Sequence, residues 1–202
     1  MFAHRSGLPR SASRAGRWPF GDDVVIVRLI ALDMVQMEPL VSESQHEGFQ
    51  FLARLCEEWA SGTNRFSQRG EALFGLFDSG TLIGVGGINR QDDYTGRLRR
   101  FYISTWYRGR GWGRGLVDHI LSHAAQYYRS VVLRITTDSG DRFYRACGFM
   151  RIRGSSDPTH RIELTEAEPD GPANGSQPFR SETNIKVIGG WLPSLTFAFA
   201  VT

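Results

Sequence analysis

Lysine is almost missing from this chain: Lys186 is the only one among 24 basic residues, and arginine supplies the rest. Without a lysine after a glycine-rich turn there is no mononucleotide P-loop, which needs Gly-Lys followed by Ser or Thr. Cysteine is scarce too. Cys56 and Cys147 are far apart, lack metal-ligand spacing and follow no secretory leader pattern, so neither a zinc site nor a disulfide framework is expected, and a reducing cytoplasmic setting fits best. No apolar run approaches the roughly 20 residues needed to span a bilayer. The longest candidate, Trp191 to Val201, is short and contains Pro193. A net charge of +3 excludes little by itself, although guanidinium groups do bind phosphates bidentately.

What is present is a chain of 202 residues with 41% hydrophobic content, enough for one domain with its own core. Residues 1–20 hold Arg5, Arg10, Arg14 and Arg17 among Ser, Gly and Ala and read as a basic, disordered arm. Residues 21–164 carry the alternating and helical patterns of a domain. Residues 165–202 begin with a segment rich in Pro, Gly, Ser and acids and read as a largely disordered tail.

Within the domain, Val24 to Ile30 is β-branched and predicts a strand. Residues 34–66 predict two helices parted at Pro39 and Gly48. Glu71 to Phe77 and Thr81 to Arg90 flank Asp78-Ser79-Gly80 and predict a hairpin. Leu98 to Ile103 predicts a strand, Gly111 to Ala125 a helix with Leu116, Val117, Ile120, Leu121 and Ala124 on one stripe, and Val131 to Thr136 a buried strand. A short helix over Arg142 to Cys147 and strands at Met150 to Arg153 and His160 to Leu164 complete the pattern. This order predicts a mixed α/β fold with a right-handed strand-helix-strand unit.

Arg108-Gly109-Arg110-Gly111-Trp112-Gly113-Arg114-Gly115 lies between a predicted strand and a predicted helix. Glycines let successive amides turn toward one point, and the helix start adds partial positive charge, so a diphosphate is the natural ligand. The dinucleotide fingerprint does not fit, since the glycines are spaced by two and no acid follows about 20 residues on. A disordered arginine-glycine nucleic-acid element, with Trp112 stacking on a base, is a competing reading of the same letters. It fits poorly with a segment that occurs once and opens an amphipathic helix.

The strand, the R-x-x-G-x-G turn at Arg108 to Gly113, the helix, the next strand and Phe143-Tyr144-Arg145-Ala146-Cys147-Gly148-Phe149 together resemble the GCN5-related N-acetyltransferase family. The resemblance covers about 24–164. It implies a mixed, centrally splayed β-sheet flanked by helices, and acetyl transfer from acetyl-coenzyme A to a primary amine of a small molecule or peptide, without a metal. It implies that Arg108, Gly109, Arg110, Gly111, Trp112, Gly113 and Arg114 form the pyrophosphate turn. Phe101, Tyr102 and Ile103 would hold the pantetheine by main-chain bonds, and an amide near Phe101 or Tyr102 would meet the oxyanion. Tyr144 would protonate the leaving thiolate. No membrane or nucleic-acid partner is expected, a homodimer is compatible, and a non-catalytic coenzyme-binding regulator is the alternative within the same fold.

The glutamate that many family members carry on the strand before the turn is missing from Gly96-Arg97-Leu98-Arg99-Arg100. Asp92, Asp93, Glu71 and Glu47 are substitutes for the amine's proton acceptor, as is an ordered water, and none is assigned. Strict strand alternation places Arg97 and Arg99 on one face, toward either solvent or an acidic acceptor, and Arg100 on the other. The helical region and the Gln91 to Gly96 turn are expected to shape the acceptor pocket. Cys147 reads as a small core residue, and His119 with His123 as a helix surface.

Overall fold

The computed structural model of the protein describes residues 24–164. The expected arm at 1–20 and tail at 165–202 lie outside the described residues. The elements are β1 (Val24–Arg28), α1 (Met34–His46), α2 (Phe51–Ser61), β2 (Ala72–Asp78), β3 (Thr81–Arg90), β4 (Thr95–Ile103), α3 (Trp112–Ala124), β5 (Ser130–Leu133), α4 (Asp138–Ala146), β6 (Met150–Arg151) and β7 (His160–Glu163). They form a seven-stranded sheet in the order β1-β2-β3-β4-β5-β7-β6. β4 and β5 are the parallel pair, and their neighbours are antiparallel.

Strand alternation sorts the side chains into two cores. Ala72, Phe74 and Leu76 of β2 join Leu116, Val117 and Ile120 of α3 on one face. Leu73 between them joins Met37, Leu40, Leu52, Leu55 and Trp59 of α1 and α2 on the other. Each fully buried Leu or Ile contributes about 1.5–3 kcal/mol. Both faces of the central strands are therefore covered, which is why β2 and β3 read as continuous apolar runs.

The α1–α2 region breaks at Gly48 (φ +84°), as expected, whereas Pro39 lies inside α1. Pro39 is exposed, and so is Val35 one turn earlier, so the carbonyl that loses its amide partner there can bond to water. The start of α1 is set by Asp33, whose carboxylate accepts from the amides of Val35 at 2.9 Å and Gln36 at 3.3 Å.

Two irregularities of β4 create the site. Its bonds to β5 are confined to Thr95–Arg97 opposite Ser130–Val132, so the strands part beyond that point and Leu98–Ile103 keeps one unpaired edge. Against β3, Gly87 faces Arg99 and Val85 faces Tyr102, so Arg100 and Phe101 together oppose Gly86 alone. This is a β-bulge, with Arg100 in the left-handed region at φ +56°. β5 also ends at Leu133 rather than Thr136, where its last ladder partner, His160 of β7, is reached.

Candidate active site

The opening between β4 and β5 is a cavity of about 840 Å³. Its walls include Leu98–Ile103 of β4, Arg108, Gly109, Gly111, Gly113 and Arg114 of the turn, Leu133–Thr137, Phe143 and Tyr144 of α4, and Phe49 and Phe51 between α1 and α2. The size lies within the range of small-molecule and cofactor pockets. A separate concavity lined by Arg142, Arg145, Arg151 and Arg153 touches neither the β4 edge nor the turn.

Along β4 the Ser104 amide bonds to Ile83 O at 2.9 Å on the β3 side. By alternation, the amides of Ile103 and Phe101 face the open side. The glycine-rich turn follows. Gly109 (φ +73°) and Gly111 (φ +87°) are both left-handed, and a Cβ on either would meet nothing within 4 Å, so glycine serves backbone conformation there rather than space. Gly111 caps α3, and the first helical bond runs from Gly115 N–H to Gly111 O at 3.0 Å. Ahead of it, the Gly113 and Arg114 amides bond no backbone acceptor among the described residues. They emerge at the positive end of α3, beside the cavity.

The arginine side chains of the turn are partly committed. Arg108 donates two bonds to Glu47, at 2.7 and 2.6 Å, and a third from Nε to Ile103 O at 2.8 Å. Its guanidinium carbon stands 5.0 Å from the centre of the Tyr102 ring, and the Tyr102 hydroxyl donates to Glu47 at 2.6 Å. The Arg108 bonds hold the Glu47 carboxyl below its ordinary range, while burial and the bond to Glu47 push the Tyr102 phenol up. Arg108 thus ties the α1–α2 connection to the end of β4, and its guanidinium is not aimed freely into the cavity. Arg114 donates to Ala146 O at 3.0 Å, and Arg110 lies 6.0 Å over the Tyr107 ring. Trp112 is buried in the α3 core, which counts against the competing reading in which its ring stacks on a nucleic-acid base.

Tyr144 sits at the far wall, 5% exposed, with its ring against Phe101, Phe143 and Phe149 at centroid distances of 5.9, 4.9 and 5.6 Å. Its hydroxyl has no hydrogen-bond partner among the described residues, and burial pushes its pKa up. The phenol is therefore protonated at neutral pH and free to donate. α4 carries it there: Thr137 caps the helix by accepting from Gly140 N–H at 3.2 Å.

The proposed proton acceptors do not gather in the cavity. Glu71 accepts from the amides of Gln68 and Arg90 at 3.2 and 3.0 Å, Asp92 from Tyr94 at 2.9 Å, and Asp93 is exposed and paired with Arg90. Glu47 stands behind Tyr102 and Arg108. The one carboxylate among the lining residues is Asp157, between β6 and β7, bonded to Arg97 and 3.8 Å from Arg134. Sequence reasoning missed it, because Ser155-Ser156-Asp157-Pro158 reads as an ordinary turn. None of residues 91–96 lines the cavity, so that turn does not shape it, whereas Phe49 and Phe51 do.

The bulge also corrects the expected faces of the arginines. Leu98 and Phe101 point into the α3 core, Tyr102 into the α1–α2 core, and Arg100 bonds Glu58 of α2 at 2.6 Å. Arg99, next along the strand to Leu98, takes the opposite face, and its β3 partner Gly87 lies against Phe66 of the α1–α2 core. Arg99 and Arg100 therefore share the α1–α2 face. Of the other residues singled out, Cys147 is in the α3 core, where burial raises its thiol pKa. His119 and His123 pack edge-on against Phe74, and no group of three or more metal-ligating side chains occurs among the described residues. No helix among the described residues is long and apolar enough to cross a membrane.

Residues 34–149 match the model of the acetyltransferase (GNAT) family. Among solved structures, a candidate acetyltransferase from Exiguobacterium sp. 255-15 is similar at 30% identity and a TM-score of 0.62, over 70% of this chain and 93% of that one. An acetyltransferase from Streptococcus agalactiae shares the fold at 18% identity and a TM-score of 0.58, over 70% and 97% of the two chains. The GNAT N-acetyltransferase YhbS of Escherichia coli, solved in complex with CoA, shares it at 17% identity and a TM-score of 0.51, over 71% and 83%. No curated protein matches the chain.

Proposed function

Since the chain belongs to the GNAT acetyltransferase family, we propose that it moves an acetyl group from acetyl-coenzyme A to a primary amine of a small molecule or peptide, by direct attack within a ternary complex. The observation that carries this reading is the parted β4–β5 pair, with an unpaired strand edge leading to the amides at the α3 N-terminus and a free phenol on the opposite wall.

These features fit the donor group by group. The β4 edge at Phe101, Tyr102 and Ile103 supplies main-chain partners for a chain of amides, like an added strand. The turn from Gly109 to Arg114 offers backbone amides and helix charge to a diphosphate. When bound, the donor supplies an activated thioester. Phe101 N–H then meets the negative charge developing on the carbonyl oxygen, and Tyr144 donates its proton to the departing sulfur. Asp157, as the carboxylate in the wall, takes the proton of the incoming amine directly or through water. The bound guanidinium of Arg97 holds it in place.

Calorimetric titration with acetyl-coenzyme A, followed by an amine screen, tests this. Gly111→Glu should abolish binding, because it adds strain at a positive φ and a negative charge beside a diphosphate. Tyr144→Phe should bind normally and lose turnover, by about 10²–10⁴-fold if it is the general acid. A folded wild-type protein that does not bind the coenzyme would overturn the reading, and binding without transfer to any amine would return it to a coenzyme-binding regulator.

A further inference from the structure

The acceptor end of the cavity has an electrostatic character that the transfer reaction does not require. Arg97, Arg99 and Arg100 all line it, and Arg54 on α2 lies close enough for its charge to be felt at Arg99. The carboxylates that answer these charges are two. Glu58 bonds Arg100, and Asp157 bonds Arg97 while also lying near Arg134.

Two details set Arg99 and Arg100 apart from the other arginines of the wall. Arg99 is exposed at the cavity wall and has no hydrogen bond or ion pair among the described residues, with the like charges of Arg100 and Arg97 beside it. A water-accessible guanidinium crowded by like charges is open to an arriving anion. Arg100 has a side chain only 4% exposed, and its Nε has no partner even though Nη2 bonds Glu58. Arg100 itself sits in the left-handed region, a strained conformation for a non-glycine residue that tends to occur at functional sites and ligand clamps. The bulge brings both guanidinium groups to the face that Phe49 and Phe51 border, away from the α3 N-terminus where a diphosphate would sit.

We propose that the acceptor is an amine that also bears an anionic group, a carboxylate or a phosphate, and that Arg99, backed by the charge of Arg100, receives that group. Both anions present the oxygen pairs that a guanidinium fork matches. The inference rests on the acetyltransferase reading, and it narrows the acceptor from amines in general to zwitterionic ones such as amino acids or phosphorylated amines.

The test compares matched acceptors: amino acids with their carboxamides, and phosphoethanolamine with ethanolamine. Coenzyme A release is followed for wild type, Arg99→Gln and Arg99→Lys, with acetyl-coenzyme A affinity measured separately by calorimetry. In wild type the anionic member of at least one pair should exceed its neutral partner by about tenfold or more in kcat/KM. In Arg99→Gln that ratio should fall toward one through KM, with part retained in Arg99→Lys and coenzyme affinity unchanged. The arm that responds identifies the anion as carboxylate or phosphate. Equal or better use of the neutral members by wild type, or a ratio that survives in Arg99→Gln, overturns the proposal. So does coenzyme binding with no transfer to any anionic amine. Loss of coenzyme binding by wild type strikes the acetyltransferase reading itself.

Discussion

Glu47 is one position where the structure allows stability and function to be predicted together. Replacing it with alanine removes two bonds from Arg108 and one from the Tyr102 hydroxyl, all at 2.6–2.7 Å. The arginine side chain is 43% exposed, so solvent screens the ion pair and limits its contribution to about 1 kcal/mol. Tyr102 is a buried residue, and leaving its hydroxyl short of a partner costs about 1–3 kcal/mol, toward the low end because it borders the cavity. The expected loss is about 2 kcal/mol, a substantial part of a typical stability of roughly 5–15 kcal/mol. The sign of the pH dependence follows from the lowered carboxyl pKa of Glu47. Its contribution is fully present above the unfolded value of about 4.3 and is lost as pH falls through the folded value. Urea unfolding of wild type and Glu47→Ala at several pH values should show a gap that is constant near neutrality and narrows below about pH 4. It should not close, because a protonated carboxyl still accepts from Tyr102. A neutral-pH gap under about 0.5 kcal/mol, or one that widens in acid, would refute the reasoning.

Three further outcomes are expected. Gly87→Ala drives a Cβ into the Phe66 ring, so overpacking should cost about 1–3 kcal/mol, measurable as a lower urea midpoint with unchanged m-value. Asp33→Ala removes the α1 cap and should cost about 1 kcal/mol by the same measurement, with Asp33→Ser largely rescuing it. Gly111→Ala should cost about 1–2 kcal/mol through its φ of +87° alone, since the space is open, and should weaken acetyl-coenzyme A binding in calorimetry.

Features that depend on local periodicity were legible in the amino-acid sequence. Leu116, Val117, Ile120 and Ala124 line up at helical spacing, and all are buried beneath α3. The Gly109–Gly113 run between a strand and a helix marked the turn because positive φ and helix capping leave a signature in residue type. Pairing across long stretches of chain leaves none. That Arg108 clasps Glu47, 61 residues away, follows from packing α1 and α2 beside the end of β4, and nothing in the letters R-x-x-G-x-G announces it. Asp157 enters the cavity wall only because the β6–β7 connection folds back toward Arg97 and Arg134. Arg100 was placed on the wrong face because alternation assumes an unbroken strand. The bulge that breaks it sits among arginines, without the glycine that often marks such a site.

That extra residue makes the two halves of β4 count with opposite parity. Deleting Arg100 would restore strict alternation and leave Leu98 in the α3 core and Arg99 on the α1–α2 face, so that face would carry one guanidinium of the pair instead of two. The paired guanidinium groups are in this sense a property of segment length as much as of residue identity. Substitutions at Arg99 and Arg100 would tune the acceptor end of the cavity, whereas deleting the extra residue of the bulge would remove one of the two positions outright while leaving both cores and the sheet order intact.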